Sequence, residues 1–314
     1  MTRILLVVSI LVAAVAGGCG PKQFRLTTPA VSAVRYQEAA NPVLFSMDDA
    51  RSQPDKKFST GRLEADILYN DAPVNELSFL ADGIRAEFAS RGVKAELSQT
   101  PAYRINVKKF RSRNHRVSAY SPYVTFTTFR ADVTVANQTM PVTAYFKNGK
   151  VPVWSFDEVV PHCYDEAMQA IISEITSKLN RMYTNYTAPD AKVAEIVSQI
   201  DTNYTKKSYL LVYDLAGTNN PAALPHIARY MKHEDFLMRQ AAISSIGILG
   251  AVQYLPQLKE IYANGTAEER NIAVKSIGDM GTAEALSFIR AEYANITGDG
   301  TKETSLKEVM ELYL

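Results

Sequence analysis

The C-terminal third of the chain contains an internal repeat, which constrains the fold more than any other feature of the sequence. Residues 239–250 read RQAAISSIGILG and recur at residues 270–281 as RNIAVKSIGDMG, an offset of 31 residues. A period between about 20 and 50 residues is typical of arrays in which each unit packs mainly on its neighbours. We predict three units in one register, with a diverged first helix at residues 208–215 and a closing helix at residues 302–313.

Each unit has the pattern of a helical hairpin. Ala242, Ile243 and Ile246 have the spacing of one helical face, and the small residue lets a neighbouring helix approach closely. Gly250 and Gly281 follow the two copies of this helix and predict left-handed helix ends. A second apolar stripe completes the unit at Leu255, Leu258 and Tyr262. A single hairpin cannot bury both stripes, so the units are expected to stack.

This pattern of Arg, spaced Ala and Ile, and then Gly-x-x-Gly resembles HEAT repeats, in the short variety found in phycobilin lyases and many bacterial proteins. The resemblance covers residues 205–314 and implies an all-α solenoid that binds other proteins along its face. It does not imply lyase activity, because no bilin-site residues carry over. Arg239 and Arg270 occupy the same place in the two copies. They are interpreted either as structural bridges between repeats or as binding residues.

Residues 43–186 have a different pattern and are expected to form a separate α+β domain. A helix-like stripe at residues 77–88 is followed by strand-like runs and then by a second helix at residues 164–183. The runs lie at residues 93–97, 103–110, 123–136, 140–146 and 151–156. The fold class predicted is α+β, an antiparallel sheet with helices on one face, followed by a HEAT-like solenoid. A short helix within residues 187–204 is expected to bridge the two parts.

The order of helix, strands and helix behind an N-terminal cysteine resembles small outer-envelope lipoproteins, including the YajG-like group and the auxiliary lipoproteins of transport systems. That resemblance implies assembly or accessory roles. Within this domain, Trp154 lies among apolar residues and is predicted to fill the core between sheet and helices.

The N-terminus has the pattern of a bacterial lipoprotein signal. Arg3 precedes an apolar run at residues 4–16, which is too short to span a bilayer as a helix. Ala16-Gly17-Gly18 then precede Cys19, which resembles the lipobox at which a cysteine thiol is acylated. Residues 1–18 are therefore predicted to be a signal peptide and Cys19 the lipidation site. The alternative is an ordinary cleaved signal with an incidental cysteine.

Lipidation at Cys19 would make the membrane a partner of this protein. Two or three acyl chains hold a protein firmly, whereas one chain is marginal. Residues 19–42 contain Pro21, Pro29 and Pro42 and are predicted to be a lipidated tether. Because Gly20 rather than Asp follows the cysteine, the expected location is the outer membrane, facing the periplasm.

A basic stretch in the middle domain is the main candidate for ligand contact. Its members are Lys108, Lys109, Arg111, Arg113 and Arg116. One interpretation is a loop that contacts a polyanion or a lipid headgroup, and the other is a solvated hairpin tip. The formal net charge of the chain is +1, so no general field favours nucleic acid, and nucleic acid is not expected as a partner.

The remaining polar residues do not form a recognisable catalytic motif. Asp48, Asp49, His115 and the pair Asp157-Glu158 are the candidates, and no phosphate loop or nucleophile elbow occurs in the sequence. Cys163 is expected to be a buried or helix-start cysteine. We therefore predict no enzyme activity, metal or cofactor, and a protein that binds an unidentified envelope protein through its repeats. The alternative is a middle domain that binds a glycan or lipid headgroup, or hydrolyses one.

Overall fold

The computed structural model describes residues 22–37, 42–63, 65–118 and 120–314. The predicted signal peptide and Cys19 lie outside these ranges. The described chain forms a mixed sheet domain with helices, followed by an all-helical region, so the predicted fold class is confirmed.

The main sheet is built around three long strands. Its strands are β2 (Val43–Asp49), β3 (Ser59–Gly61), β6 (Ala95–Leu97), β7 (Tyr103–His115), β8 (Tyr123–Val135) and β9 (Gln138–Lys150). Strands β7, β8 and β9 form an antiparallel meander, as the alternating sequence predicts. Strand β2, however, runs parallel to both β6 and β7, and β3 runs parallel to β7. The predicted antiparallel arrangement therefore holds for β7 to β9, whereas this edge of the sheet is parallel. The connection from β2 to β6 includes a helix, which permits the parallel pairing.

A smaller sheet includes residues that were predicted to form the tether. Its strands are β1 (Lys22–Leu26), β4 (Ala65–Tyr69) and β5 (Ala72–Pro73), with β1 parallel to β4. Phe24 and Leu26 alternate with polar residues along β1 and are buried, as are Val34 and Tyr36 further along. Residues 22–37 therefore belong to the folded domain. The predicted tether at residues 19–42 is wrong over this range because its apolar residues lie in the core.

Two helices pack together on this domain, α1 (Glu76–Ser90) and α2 (Glu166–Leu179). Helix α2 continues at both ends into wider helical turns, Val160–Asp165 and Asn180–Thr184. Its apolar face packs on the sheet as predicted. Its polar face is also buried, since Ser173, Glu174, Ser177 and Lys178 are each no more than 6% exposed.

The rest of the chain forms the helical repeats. Their helices are α3 (Asp190–Thr202), α4 (Ser208–Gly217), α5 (Leu224–Tyr230), α6 (Phe236–Ile248), α7 (Leu255–Asn264), α8 (Ala267–Asp279), α9 (Ala283–Asn295) and α10 (Thr301–Met310). The hairpins α4–α5, α6–α7 and α8–α9 are the three predicted units, and α10 follows as the closing helix. Gly250 and Gly281 have φ of 61° and 65°, the left-handed conformation expected of them.

The repeat register is visible in side-chain contacts between units. Ser245 Oγ donates a hydrogen bond to the Val212 carbonyl at 3.1 Å, and one unit later Ser276 Oγ donates to the Ile243 carbonyl at 2.7 Å. Each serine thus ties the first helix of its unit to the first helix of the preceding unit.

The repeats and the sheet domain share one apolar core. The first helices of two units, α4 and α6, pack against α2. The first helix of the third unit, α8, packs on β9 and is joined to α2 by ion pairs between side chains. The buried apolar cluster extends without a break from Phe24 to Tyr313. The second helices, α5, α7 and α9, lie on the other side of the array. Within the described ranges, no helix is long and apolar enough to cross a membrane.

Candidate binding surface and the interface that defines it

A cluster of four buried charges joins the sheet domain to the repeats. Helix α2 contributes Glu174 and Lys178, and helix α8 contributes Lys275 and Asp279, with every one of these side chains no more than 3% exposed. Lys178 Nζ lies 2.6 Å from carboxylate oxygens of both Glu174 and Asp279. Lys275 Nζ contacts Glu174 and lies 3.0 Å from Asp279. We call these four residues the charge quartet.

The electrostatics of the charge quartet favour the charged forms of Asp279 and Lys275. Burial alone would raise the pKa of Asp279, but Lys178 and Lys275 lower it to about 2. Burial opposes the charge of Lys275, but Asp279 and Glu174 raise its pKa above the ordinary lysine value. Burial lowers the pKa of Lys178 despite its two carboxylate partners. Two positive and two negative charges balance within the cluster. Because one pair comes from α2 and the other from α8, the cluster joins the two parts of the chain.

The end of the chain completes this joint. Tyr313 donates a hydrogen bond to Asp279 at 2.7 Å and accepts one from Thr143 of β9 at 2.9 Å. Lys178 also donates to the Thr143 carbonyl at 2.7 Å. The sequence carried a signal for this joint, because Glu174 lies one helical turn before Lys178 and Lys275 lies one helical turn before Asp279. The joint was not predicted, because helix periodicity alone places such residues on a solvent-facing side.

A second buried ion pair holds α1 against α2 and α4. The Arg91 guanidinium is 0% exposed and lies 2.7 Å from a carboxylate oxygen of Glu87. It also donates to the Ser173 and Ser177 hydroxyl groups and to the Tyr36 hydroxyl at 2.8 to 3.0 Å. Tyr36 in turn donates to the Gly217 carbonyl at the end of α4, so this arginine also links sheet domain and repeats.

The basic stretch was predicted to be either a ligand-binding loop or a solvated hairpin tip. Both predictions are wrong for most of the stretch, which forms part of a strand. Lys108, Lys109, Arg111 and Arg113 lie in β7, and only Arg116 follows it. The arrangement arises because β7 continues past the predicted strand end, alternating buried and partly buried residues.

The carboxylates that face these basic residues come from the same chain. Arg111 and Arg113 hydrogen-bond to Glu308 of α10, the latter with both carboxylate oxygens at 2.7 to 3.1 Å. Lys109 lies 4.0 Å from Glu311, and Lys108 lies 3.7 Å from Asp132. This geometry gives Arg111 and Arg113 an intramolecular role, fixing the closing helix to the sheet.

The candidate catalytic residues are spread over the domain. Asp49 pairs with Arg51 at 2.9 Å and aligns with Val107 in the first half of β7, whereas His115 is the last residue of β7. Glu158 lies 3.4 Å from Lys150 at the end of β9. Cys163 is buried and free, and burial raises the pKa of its thiol to about 12, which disfavours a nucleophilic role.

The two repeat arginines have different environments. Arg239 lies 2.8 Å from Glu269 of the following unit and donates to the His233 and Glu234 carbonyls, so it bridges repeats. The Arg270 guanidinium lies 5.0 Å from the centre of the Tyr262 ring. It lines a groove of about 250 Å³ between α7, α9 and α10.

The second helices of the units form the solvent-exposed side of the repeats. A groove of about 320 Å³ lies between the end of α5 and α7. The groove at Arg270 lies next to it, towards α9. Arg229 of α5, Glu260 of α7 and Glu284 and Arg290 of α9 are exposed along this side. By contrast, residues 271–278 of α8 are all buried. We call the surface formed by α5, α7 and α9 the outer face.

These features define a class, a mixed α+β domain fused to helical repeats through a buried polar interface. The comparisons with known proteins agree for the repeats, because residues 194–278 match the family model of HEAT repeats. No curated protein matches the chain.

Two solved structures are similar to part of the chain. One is the crystal structure of an uncharacterized protein, with 11% identity and a TM-score of 0.31, covering 52% of this chain and 99% of that one. Another is a minor lipoprotein from Acinetobacter baumannii, with 11% identity and a TM-score of 0.27, covering 47% of this chain and 100% of that one.

Proposed function

We propose that this protein is a non-catalytic bacterial envelope lipoprotein, anchored by lipid at Cys19, that binds a protein partner through the outer face of its repeats. The signal pattern before Cys19 supports the anchor. The match to HEAT repeats supports protein binding, since arrays of this kind present extended surfaces to partners.

The observation that carries the proposal is the packing of the first helices on the sheet domain. A HEAT-like array has two sides, and here α4 and α6 lie against α2 while α8 lies against β9 of the same chain. The charge quartet and Arg91 hold that side closed. The outer face therefore remains as the side of the array that a partner can reach.

The anchor is tested by acyl labelling and cell fractionation. Replacing Cys19→Ala should abolish incorporation of labelled fatty acid and release the protein from membranes. Cys163→Ala is the matched control and should keep both, because that thiol is buried in the folded domain. Unchanged labelling of the Cys19 variant would refute lipidation at this residue.

The outer face is tested by capture from detergent-solubilised envelopes. Glu260→Arg and Ala263→Arg together change an exposed patch of α7, and Leu97→Arg changes an exposed position of the sheet domain as the control. A partner recovered with the wild type and the control should be lost with the α7 variant. A partner whose recovery depends on the Leu97 site but not on the α7 site would contradict the proposal.

A further inference from the structure

One end of the main sheet carries the most exposed apolar side chains of the described residues. Tyr120 is 95% exposed, Trp154 84%, Val117 66% and Val151 59%, more than any other large apolar side chain in those ranges. Trp154 was predicted to fill the core, and this prediction is wrong because residues 151–158 leave the sheet after β9. We call these four residues the aromatic end.

The sheet register brings the members of the aromatic end together. Val117 and Tyr120 lie in the turn between β7 and β8, and Val151 and Trp154 lie directly after β9. Tyr123, the first residue of β8, pairs with Lys150, the last residue of β9. The two loops therefore emerge side by side from the same end of the sheet.

The first described residues of the chain reach the same place. The Lys22 ammonium group and the Arg116 guanidinium each lie 5.6 Å from the centre of the Phe156 ring, two residues after Trp154. Phe24 also packs on that ring, with centroids 6.2 Å apart. The start of β1 is thus fixed beside the aromatic end.

The short distance in sequence from Cys19 to Lys22 limits where a lipid on Cys19 can be. Three residues of extended chain span at most about 11 Å. An anchor at Cys19 would hold the aromatic end next to the bilayer surface. The long tether expected from the sequence would have allowed any orientation, but residues 22–37 are folded into the domain.

The chemistry of this surface matches a lipid interface. Tryptophan and tyrosine favour the headgroup region, where the ring is buried and the polar group stays hydrated. Lys22 and Arg116 are suited to headgroup phosphates, while Lys150 is paired with Glu158 at 3.4 Å and Asp157 is exposed nearby. With acidic and basic groups nearly balanced, the apolar side chains dominate the contact.

We propose that the aromatic end docks into the leaflet that holds the Cys19 lipid, with Trp154 and Tyr120 at the headgroup level. The proposal rests on the anchor proposed above, and it fixes the orientation of the protein. The sheet would stand with its β7–β8 turn at the membrane and its opposite end pointing away from it.

The chain supplies its own reporter, because Trp154 is the only tryptophan in the sequence. The chain from Cys19 onward can be coupled through that thiol to a maleimide phospholipid in phosphatidylcholine vesicles. Cys163 is buried and will not compete. This attachment is chemical, so the result does not depend on whether cells acylate Cys19, which labelling tests separately.

Vesicles with brominated acyl chains should quench most of the Trp154 emission and shift the remainder to shorter wavelength. The matched control is Trp154→Phe with Met140→Trp, which places the reporter near the start of β9. Met140 is ten residues, about 33 Å at strand spacing, from Lys150 at the end of β9 where the aromatic end lies. The emission of this control should be unaffected by the brominated lipid. Equal quenching of the two reporters, or none of either, would overturn the docking proposal and leave the anchor to its own test.

Discussion

At the scale of single residues, the structure departs from what the sequence pattern predicts mainly in the position of the buried charges. Lysines and glutamates in helices are normally assigned to solvent, yet the charge quartet is closed off from it. Such groups persist in a core only when partners compensate them, and here each cation has two carboxylate partners. The balance of charges, rather than any single pair, is what keeps this interface stable.

Removing one member of the charge quartet should therefore be costly. Lys275→Met leaves two buried carboxylates facing the single cation Lys178, and we expect a loss of about 3 to 5 kcal/mol in the free energy of unfolding. Glu174→Met in the same chain restores the balance, leaving Lys178 with Asp279, and should recover most of the loss. Urea unfolding measures both. A double variant no more stable than Lys275→Met alone would show that charge balance is not the cause.

A second residue makes the stability of the fold depend on pH. Burial raises the pKa of Asp214 on α4 to about 7, with Glu87 adding to the effect and Arg91 opposing it. In the unfolded chain this carboxyl titrates near its ordinary value of about 4. Between these values the folded state holds the proton and the unfolded state does not, so stability is lost as the pH rises.

Asp214→Asn should remove this loss. The difference in unfolding free energy between variant and wild type should grow from about pH 4 to pH 7 and then level off, by at most about 4 kcal/mol. Urea unfolding at a series of pH values measures it, and the comparison cancels the other titrating groups. A difference that stays constant across this range would contradict a protonated Asp214 carboxyl in the folded state.

At the scale of elements, close packing of the repeats depends on glycines that lie inside helices and not in turns. A Cβ added to Gly247 of α6 would lie 2.6 Å from the Ser276 Cα of α8. One unit later, a Cβ on Gly278 would lie 2.5 Å from the Tyr313 ring. Gly281, by contrast, has open space around it and a left-handed φ of 65°.

The two kinds of glycine should respond differently to alanine. Gly247→Ala must push two helix backbones apart and should cost about 3 kcal/mol of unfolding free energy. Gly281→Ala meets no atom and should cost about 1 kcal/mol, from left-handed strain alone. Thermal or urea unfolding of the pair separates these effects. Equal losses in the two variants would rule out a close helix approach at Gly247.

Helix α2 shows how far element patterns could be predicted. Its apolar stripe predicted the helix and the face that meets the sheet. The destination of its polar face could not be predicted, because periodicity tells polar from apolar sides but not whether a polar side meets water or matching charges from another unit. The strands show the same limit of local pattern. The sequence runs predicted β7 to β9, but the parallel pairing of β2 depends on the helix in the connection that follows β2.

The candidate surfaces were less predictable than the fold. The basic residues of β7 looked like a ligand site because their partner, Glu308, lies almost two hundred residues later in the chain. Trp154 looked like core because its neighbours in sequence are apolar. In both cases the environment of the side chain depends on whether a segment distant in sequence packs on it. The local sequence pattern does not encode that packing.

At the scale of the whole molecule, the two parts of the chain form one body with distinct ends and sides. The first helices of the repeats close against α2 and β9, and the outer face carries α5, α7 and α9. The aromatic end lies beside the start of β1. An anchor at Cys19 would fix this body on the membrane. The outer face would then be presented in a defined orientation to the protein partner proposed above.

Site-specific photo-cross-linking in living cells tests this account most directly. A photoreactive residue at Glu260 of the outer face should give a discrete cross-linked product in the membrane fraction. The same residue at Leu97, exposed on the sheet domain, should not. The product at Glu260 should also diminish when Cys19→Ala releases the protein from the membrane. Cross-linking at Leu97 with none at Glu260 would contradict the proposed outer-face binding.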